Sequence, residues 1–205
     1  MSNEKVVVID FGAQYAHLIT RRVRECGVYS ELISHNVSAK KIKDISPKGL
    51  ILSGGPSSVY SENAPIAPEW VYEIDVPILG ICYGMQVMSH QLGGKVAPAE
   101  KREYGHALLH QSVPDHPLFS GLPESMPVWM SHSDKIIEMP NGFTGLAHTD
   151  NSSVAVMGNS EGLIGLQFHP EVAHTPLGKN ILENFLHRVC RVDGSWTAQN
   201  FVDQT

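Results

Sequence analysis

Three side chains in this sequence carry the parts of a thiol-based acyl-transfer site. Cys82 lies in Gly80-Ile81-Cys82-Tyr83-Gly84, directly after the apolar run Val76-Pro77-Ile78-Leu79. That segment has the form of a nucleophile elbow, with cysteine where hydrolases of that type carry serine. Further on comes Phe168-His169-Pro170-Glu171. In an extended strand, side chains at i and i+2 point to the same face, so His169 and Glu171 can stand side by side, with the imidazole free to face a thiol. Cysteine attacks as the thiolate. The elbow turn exposes its sulfur, and the N-terminus of the following helix favours negative charge there. His169 can take the thiol proton and return it to a leaving amine, while Glu171 fixes the imidazole tautomer and steadies its protonated form.

Acyl transfer also needs donors for an oxyanion. The backbone N–H of Tyr83, next after the nucleophile, is one candidate by elbow geometry. The N–H of Gly55, in the turn Ser53-Gly54-Gly55-Pro56, is the second. Losing one such donor typically costs about 10²–10³ in rate.

Each motif has a plainer reading. An isolated cysteine at a strand end is usually a small buried residue, and a lone His-x-Glu is common. Here the combination, in this order and on these kinds of element, carries the signal. Ser53-Gly54-Gly55-Pro56-Ser57-Ser58 could also cradle phosphate through its N–H groups. Against that, Pro56 removes a donor and no Walker lysine follows. Eleven histidines invite a metal, with His106 and His110 or His169 and His174 as pairs. Neither pair has the His-Glu-x-x-His order and no cysteine cluster backs them, so no metal is expected.

These residues need a frame. Lys5-Val6-Val7-Val8-Ile9 reads as a strand buried on both faces. Tyr15, Leu18, Ile19, Val23 and Cys26 recur at helical spacing, with Gly27 as the stop. Val28 to Ile33, Gly49 to Ser53 and Val76 to Ile81 are further strands. Pro65 to Tyr72 reads as a short helix and Met85 to Leu92 as a longer one. Alternating strands and helices imply a parallel sheet with right-handed crossovers. The elbow then lies at a strand's carboxyl end, where open α/β sheets place their sites. The second half carries short extended runs: Ala107 to Gln111, Val128 to Ser131, Phe143 to His148, Val154 to Met157 and Leu163 to Phe168. They read as mostly antiparallel strands extending the sheet, before a last amphipathic helix through Ile181, Leu182, Phe185, Leu186 and Val189. The fold class is therefore α/β: an open, mostly parallel central sheet flanked by helices, with an antiparallel extension.

Bulk properties narrow the function. The chain has 205 residues, 42% apolar and 18% charged, a globular balance that argues against disorder. A net charge of −6 disfavours non-specific binding to nucleic acid. No stretch approaches the ~18 apolar residues of a membrane span, and the N-terminus has no signal-peptide form. Three widely spaced cysteines, Cys26, Cys82 and Cys190, argue for a reducing compartment, so a cytoplasmic location is expected. Cys26 and Cys190 fall on apolar helix faces and read as core residues. Residues 1–190 read as one domain and 191–205 as a polar connector.

The sequence resembles the class I (triad) glutamine amidotransferase family from Val6 to about Val189. The finer match rests on Asp10-Phe11-Gly12-Ala13-Gln14-Tyr15, Ser53-Gly54-Gly55-Pro56-Ser57-Ser58-Val59-Tyr60, Gly80-Ile81-Cys82-Tyr83-Gly84-Met85-Gln86, Trp129-Met130-Ser131-His132-Ser133-Asp134 and Phe168-His169-Pro170-Glu171-Val172-Ala173-His174-Thr175. It points to the family branch whose glutaminase feeds ammonia to an ATP-pyrophosphatase synthetase that turns XMP into GMP. The closing Trp196-Thr197-Ala198-Gln199-Asn200-Phe201 resembles the connector into that synthetase. The resemblance implies that Cys82, His169 and Glu171 hydrolyse glutamine to glutamate and ammonia through a thioester. It implies that Gln86 helps hold the substrate glutamine and that the Ser131-His132 backbone holds its amino and carboxylate ends. No cofactor is expected on this chain; ATP and Mg²⁺ would belong to the synthetase partner. The residues leave two alternatives open: a glutaminase of another pathway or γ-glutamyl cysteine hydrolase, and a non-catalytic docking domain.

Overall fold

The computed structural model describes residues 4–197 and 199, apart from the side chains of Glu100, Lys101 and Arg102. A nine-stranded sheet runs in the order β2-β1-β3-β4-β9-β8-β7-β5-β6. The strands β1 (Lys5–Asp10), β2 (Tyr29–Ser34), β3 (Gly49–Leu52) and β4 (Ile78–Ile81) are parallel. Strand β9 (Leu163–Leu166) continues that parallel set beside β4, then pairs antiparallel with β8 (Val156–Gly158). Beyond it, β7 (Thr144–His148), β5 (Lys95–Gln111) and β6 (Ser125–Glu138) are antiparallel.

Alternate residues of the central strands feed two separate cores. Val6, Val8, Ile51 and Leu79 pack on one face with α1 (Ala16–Glu25) and α5 (Gly178–Asn184), which runs on into a π-helical turn over Phe185–Val189. Val7, Ile9, Leu50 and Leu52 pack on the other face with α2 (Ala39–Ile45), α3 (Trp70–Glu73) and α4 (Tyr83–Gln91). Burial on both faces is why these strands are continuous apolar runs rather than alternating ones.

Three expectations need correction. Strand β9 is the junction rather than simply part of the antiparallel extension: it pairs parallel with β4 and antiparallel with β8, and Leu163, Ile164, Gly165 and Leu166 are all buried. The helix expected over residues 65–72 shrinks to Trp70–Glu73. Pro68 disfavours helical backbone at Ala67, and two prolines remove N–H donors. The strands expected at Ala107–Gln111 and Val128–Ser131 are the outer part of a much longer arm, β5 and β6, which reaches back to Lys95 and on to Glu138. Helix α2, capped by the Ser38 hydroxyl accepting from Lys41 N–H, was not anticipated.

Residues 191–197 have no regular structure but are tied down. Asp193 N–H donates to Glu4, Trp196 N–H donates to the Gly27 carbonyl, and the His187 ring bridges the carbonyls of Val192 and Cys26. The expected connector runs on through Ala198 and Asn200 to Thr205, which lie outside the described residues.

Candidate active site

Strand β4 ends at Ile81 and α4 starts at Tyr83, so Cys82 is the single residue of the turn between them. Its backbone has φ 51° and ψ −105°, a region that costs a residue with a side chain roughly 1–3 kcal/mol. The elbow can be this tight because its flanking residues lack side chains. A Cβ on Gly80 would lie 2.7 Å from the Gly84 carbonyl, and one on Gly84 would collide with the backbone of Leu52.

The residue after β9, Gln167, is fully buried and points its amide Nε2 at the Cys82 sulfur, 3.9 Å away. The Ser131 carbonyl lies 3.7 Å from the same sulfur. Two residues past Gln167, His169 places Nδ1 2.7 Å from Glu171 Oε1. Glu171 is 1% exposed, so the carboxylate is out of water and its charge is answered at close range by the imidazole. Burial alone would lower the His169 pKa; hydrogen bonds to Cys82 and Glu171, with the attraction of their charges, outweigh it and push the value up to about 10.

The backbone around His169 and Glu171 is fixed from three sides. His169 N–H donates to the Trp129 carbonyl, Thr175 Oγ1 donates to the His169 carbonyl, and Arg22 of α1 donates to the Glu171 carbonyl at 3.0 Å. The glycine turn after β3 closes the other side. A Cβ on Gly54 would sit 3.4 Å from His169 Cε1, and one on Gly55 would sit 2.9 Å from the Tyr83 ring. That turn therefore backs the histidine and the Tyr83 ring.

A polar cavity of about 250 Å³ opens beside Cys82, lined by Gly55, Tyr83, Gln86 and the Ser131–Asp134 stretch of β6. Both expected oxyanion donors and all three expected glutamine-holding residues thus reach one cavity wall. Gln86 is buried, with Nε2 donating to the Asp134 carbonyl at 3.1 Å. Asp134 was not singled out as a site residue, although among the described residues its carboxylate is the one acid on the cavity wall. Ser58 and Tyr60 both donate to it, Tyr60 at 2.7 Å. Gln167 was missed as well. The usable signal for both was a polar residue where the pattern demands an apolar one. Strand β6 buries every second residue, Met126, Val128 and Met130, then His132 and Asp134.

The comparisons with known proteins meet this geometry. The family description "Glutamine amidotransferase class-I" matches residues 7–189. The chain belongs to the class-I glutamine amidotransferase family. Among the curated relatives of this amidotransferase domain, the GMP synthase (glutamine-hydrolysing) of Dehalococcoides mccartyi is 56% identical over 98% of the chain and 38% of its own length. That of Thermomicrobium roseum is 55% identical over 99% of the chain and 38% of its own length. The chain thus spans under half the length of the curated relatives it matches. The crystal structure of a putative GMP synthase subunit from Thermoplasma acidophilum superposes with a TM-score of 0.86 at 28% identity, covering all of both chains. A Thermotoga maritima glutamine amidotransferase gives 0.74 at 17% identity over 94% of this chain and all of its own, a likeness of fold. No helix among the described residues is long and apolar enough to cross a membrane.

Proposed function

We propose that this amidotransferase domain hydrolyses glutamine through Cys82, His169 and Glu171 and hands the ammonia to an ATP-pyrophosphatase synthetase that converts XMP to GMP. The observation that carries the reading is the His169 imidazole, held by Glu171 at 2.7 Å and close enough to Cys82 for the thiol to raise its pKa, with Cys82 on the wall of a cavity of amino-acid size. Relatives named GMP synthase, more than half identical over nearly the whole chain, supply the pathway.

In this mechanism the Cys82 thiolate attacks the side-chain amide carbon of glutamine. The oxyanion is met by the N–H groups of Gly55 and Tyr83. His169 gives its proton to the departing nitrogen, leaving a glutamyl thioester, then takes a proton from the water that cleaves it. Asp134 answers the α-ammonium group, Gln86 and the Ser131-His132 backbone the rest of the amino-acid end. The synthetase, with its ATP and Mg²⁺, is the remaining part of a longer chain or a separate protein, and residues 191–205 lead toward it. The domain alone is slow, because ammonia released without its consumer is wasted and the partner completes the site.

The test is glutamate release from glutamine by this chain alone, then with a GMP-forming ATP-pyrophosphatase domain plus ATP, Mg²⁺ and XMP. Strong stimulation by the partner is expected. High basal activity with no stimulation would sink the pathway assignment. Turnover of γ-glutamyl peptides faster than glutamine would replace it with a free-standing hydrolase.

A further inference from the structure

A second histidine–carboxylate pair stands behind the cavity wall. Glu103 and His132 face each other directly across β5 and β6, at the point where pairing resumes after an irregular stretch beginning at Pro98. Both are buried. His132 Nε2 lies 3.2 Å from Glu103 Oε2, and Thr149 Oγ1 donates to Glu103 Oε1 at 3.0 Å. His132 Nδ1 lies 2.9 Å from the Asp134 carbonyl. Both ring nitrogens thus face acceptors.

We propose that Glu103 is a positioning residue for the substrate-binding wall, acting through His132; the proposal rests on the glutaminase reading above. The Asp134 carbonyl accepts from His132 Nδ1 and from Gln86 Nε2. That one oxygen ties together the β6 wall, the helix that follows Cys82 and, through Gln86 and Gln167, the neighbourhood of the sulfur. Glu103 holds the imidazole in the orientation that makes the tie. Without it, His132 keeps a buried N–H with no acceptor. The ring turns, the Asp134 peptide loses one of its two donors, and the wall that grips the amino-acid end of glutamine loosens. The His169–Glu171 bond is no part of this network. A buried pair of this kind is poor evidence for stability alone, since apolar residues of similar volume commonly serve as well.

Steady-state glutamine hydrolysis by this chain is measured alongside two alkylations of Cys82. One uses iodoacetamide, which needs only the thiolate; the other uses the diazo ketone analogue of glutamine, which needs the wall. Glu103→Ala is expected to raise KM about tenfold with kcat within about threefold, the pattern of lost uniform binding. Diazo ketone labelling slows to match, and the iodoacetamide rate is unchanged. Glu103→Gln, which keeps an acceptor for His132, restores KM to within about twofold. If Glu103→Ala fails to fold, Thr149→Val decides: it removes one bond to the carboxylate and is expected to raise KM two- to threefold on the order of one weak hydrogen bond. An unchanged KM in Glu103→Ala or, where that variant fails to fold, in Thr149→Val, or a fall in the iodoacetamide rate in either, overturns the role. A wild-type chain that neither hydrolyses glutamine nor takes the diazo ketone overturns the glutaminase reading instead.

Discussion

His169–Glu171, just past the end of β9, and His132–Glu103, across β5 and β6, are both histidine–carboxylate pairs with little exposure, and they are built for different work. In the first, Nδ1 meets Glu171 at 2.7 Å, and the Cys82 thiol is near enough to help raise the pKa of the ring. In the second, Nε2 meets Glu103 at 3.2 Å and Nδ1 meets a peptide carbonyl. A carbonyl has no proton to give, so the His132 pair can only hold position. A thiol has one, so the His169 pair can move it. The group on the far nitrogen, rather than the carboxylate, separates chemistry from scaffolding.

The comparison is broken most directly at the sulfur. Cys82→Ala should abolish glutamine hydrolysis while ammonia-driven synthesis by the partner continues. His169→Ala should lower kcat by about 10³–10⁴, in line with losing a triad base, and should suppress iodoacetamide alkylation of Cys82 at neutral pH. Glu171→Gln should be milder by roughly tenfold or more, since that residue orients rather than transfers the proton; equal losses would contradict the roles given. Gly55→Ala should cost about 10² in kcat with alkylation unaffected, because its Cβ meets the Tyr83 ring and displaces the oxyanion turn.

Smaller effects separate the two pairs by pH. The His169 pKa is raised from 6.5 to about 10. A raised value means the stability that the pair adds is whole below 6.5 and disappears as pH climbs through about 10. For Glu103, burial works upward, but bonds from His132 and Thr149 prevail and hold the carboxyl below its ordinary 4.5. A depressed value means the stability is present above 4.5 and lost as pH falls through the lower, folded value. Urea unfolding of His169→Asn should therefore converge with wild type on the alkaline side, and that of Glu103→Gln on the acid side. Convergence on the same side would show that the pairs are not distinct. The smallest effect concerns the other thiols. Burial pushes Cys26 up to about 12 and Cys190 higher still, so the native chain should take one alkyl group and the unfolded chain three.

Much of this arrangement could be read from residue order. The continuous apolar runs of β1, β3 and β4 announce strands covered on both faces, and the elbow follows from Gly80, Cys82 and Gly84. His169 and Glu171 do pair as their spacing suggested, but not on the extended strand expected: β9 ends at Leu166 and the pair sits in the bend beyond it. The inner arm was not. Lys95 to Tyr104 mixes charges with Pro98, and its pairing with β6 is irregular, so no period of two survives there. Glu103 was hidden for the same reason, and its partner lies 29 positions away. Asp134 and Gln167 were hidden by a different effect. A polar residue inside an apolar pattern signals a site only once the pattern is known to face inward.

The backbone at Cys82 carries a further consequence, for anyone who sets out to engineer this domain. Its φ of 51° suits glycine, so Cys82→Gly relaxes a torsional penalty while deleting the proposed nucleophile. A screen that ranks variants by melting temperature would favour that change and return a tougher, inert domain. Thermostabilisation campaigns on this scaffold need an activity gate at position 82 from the first round.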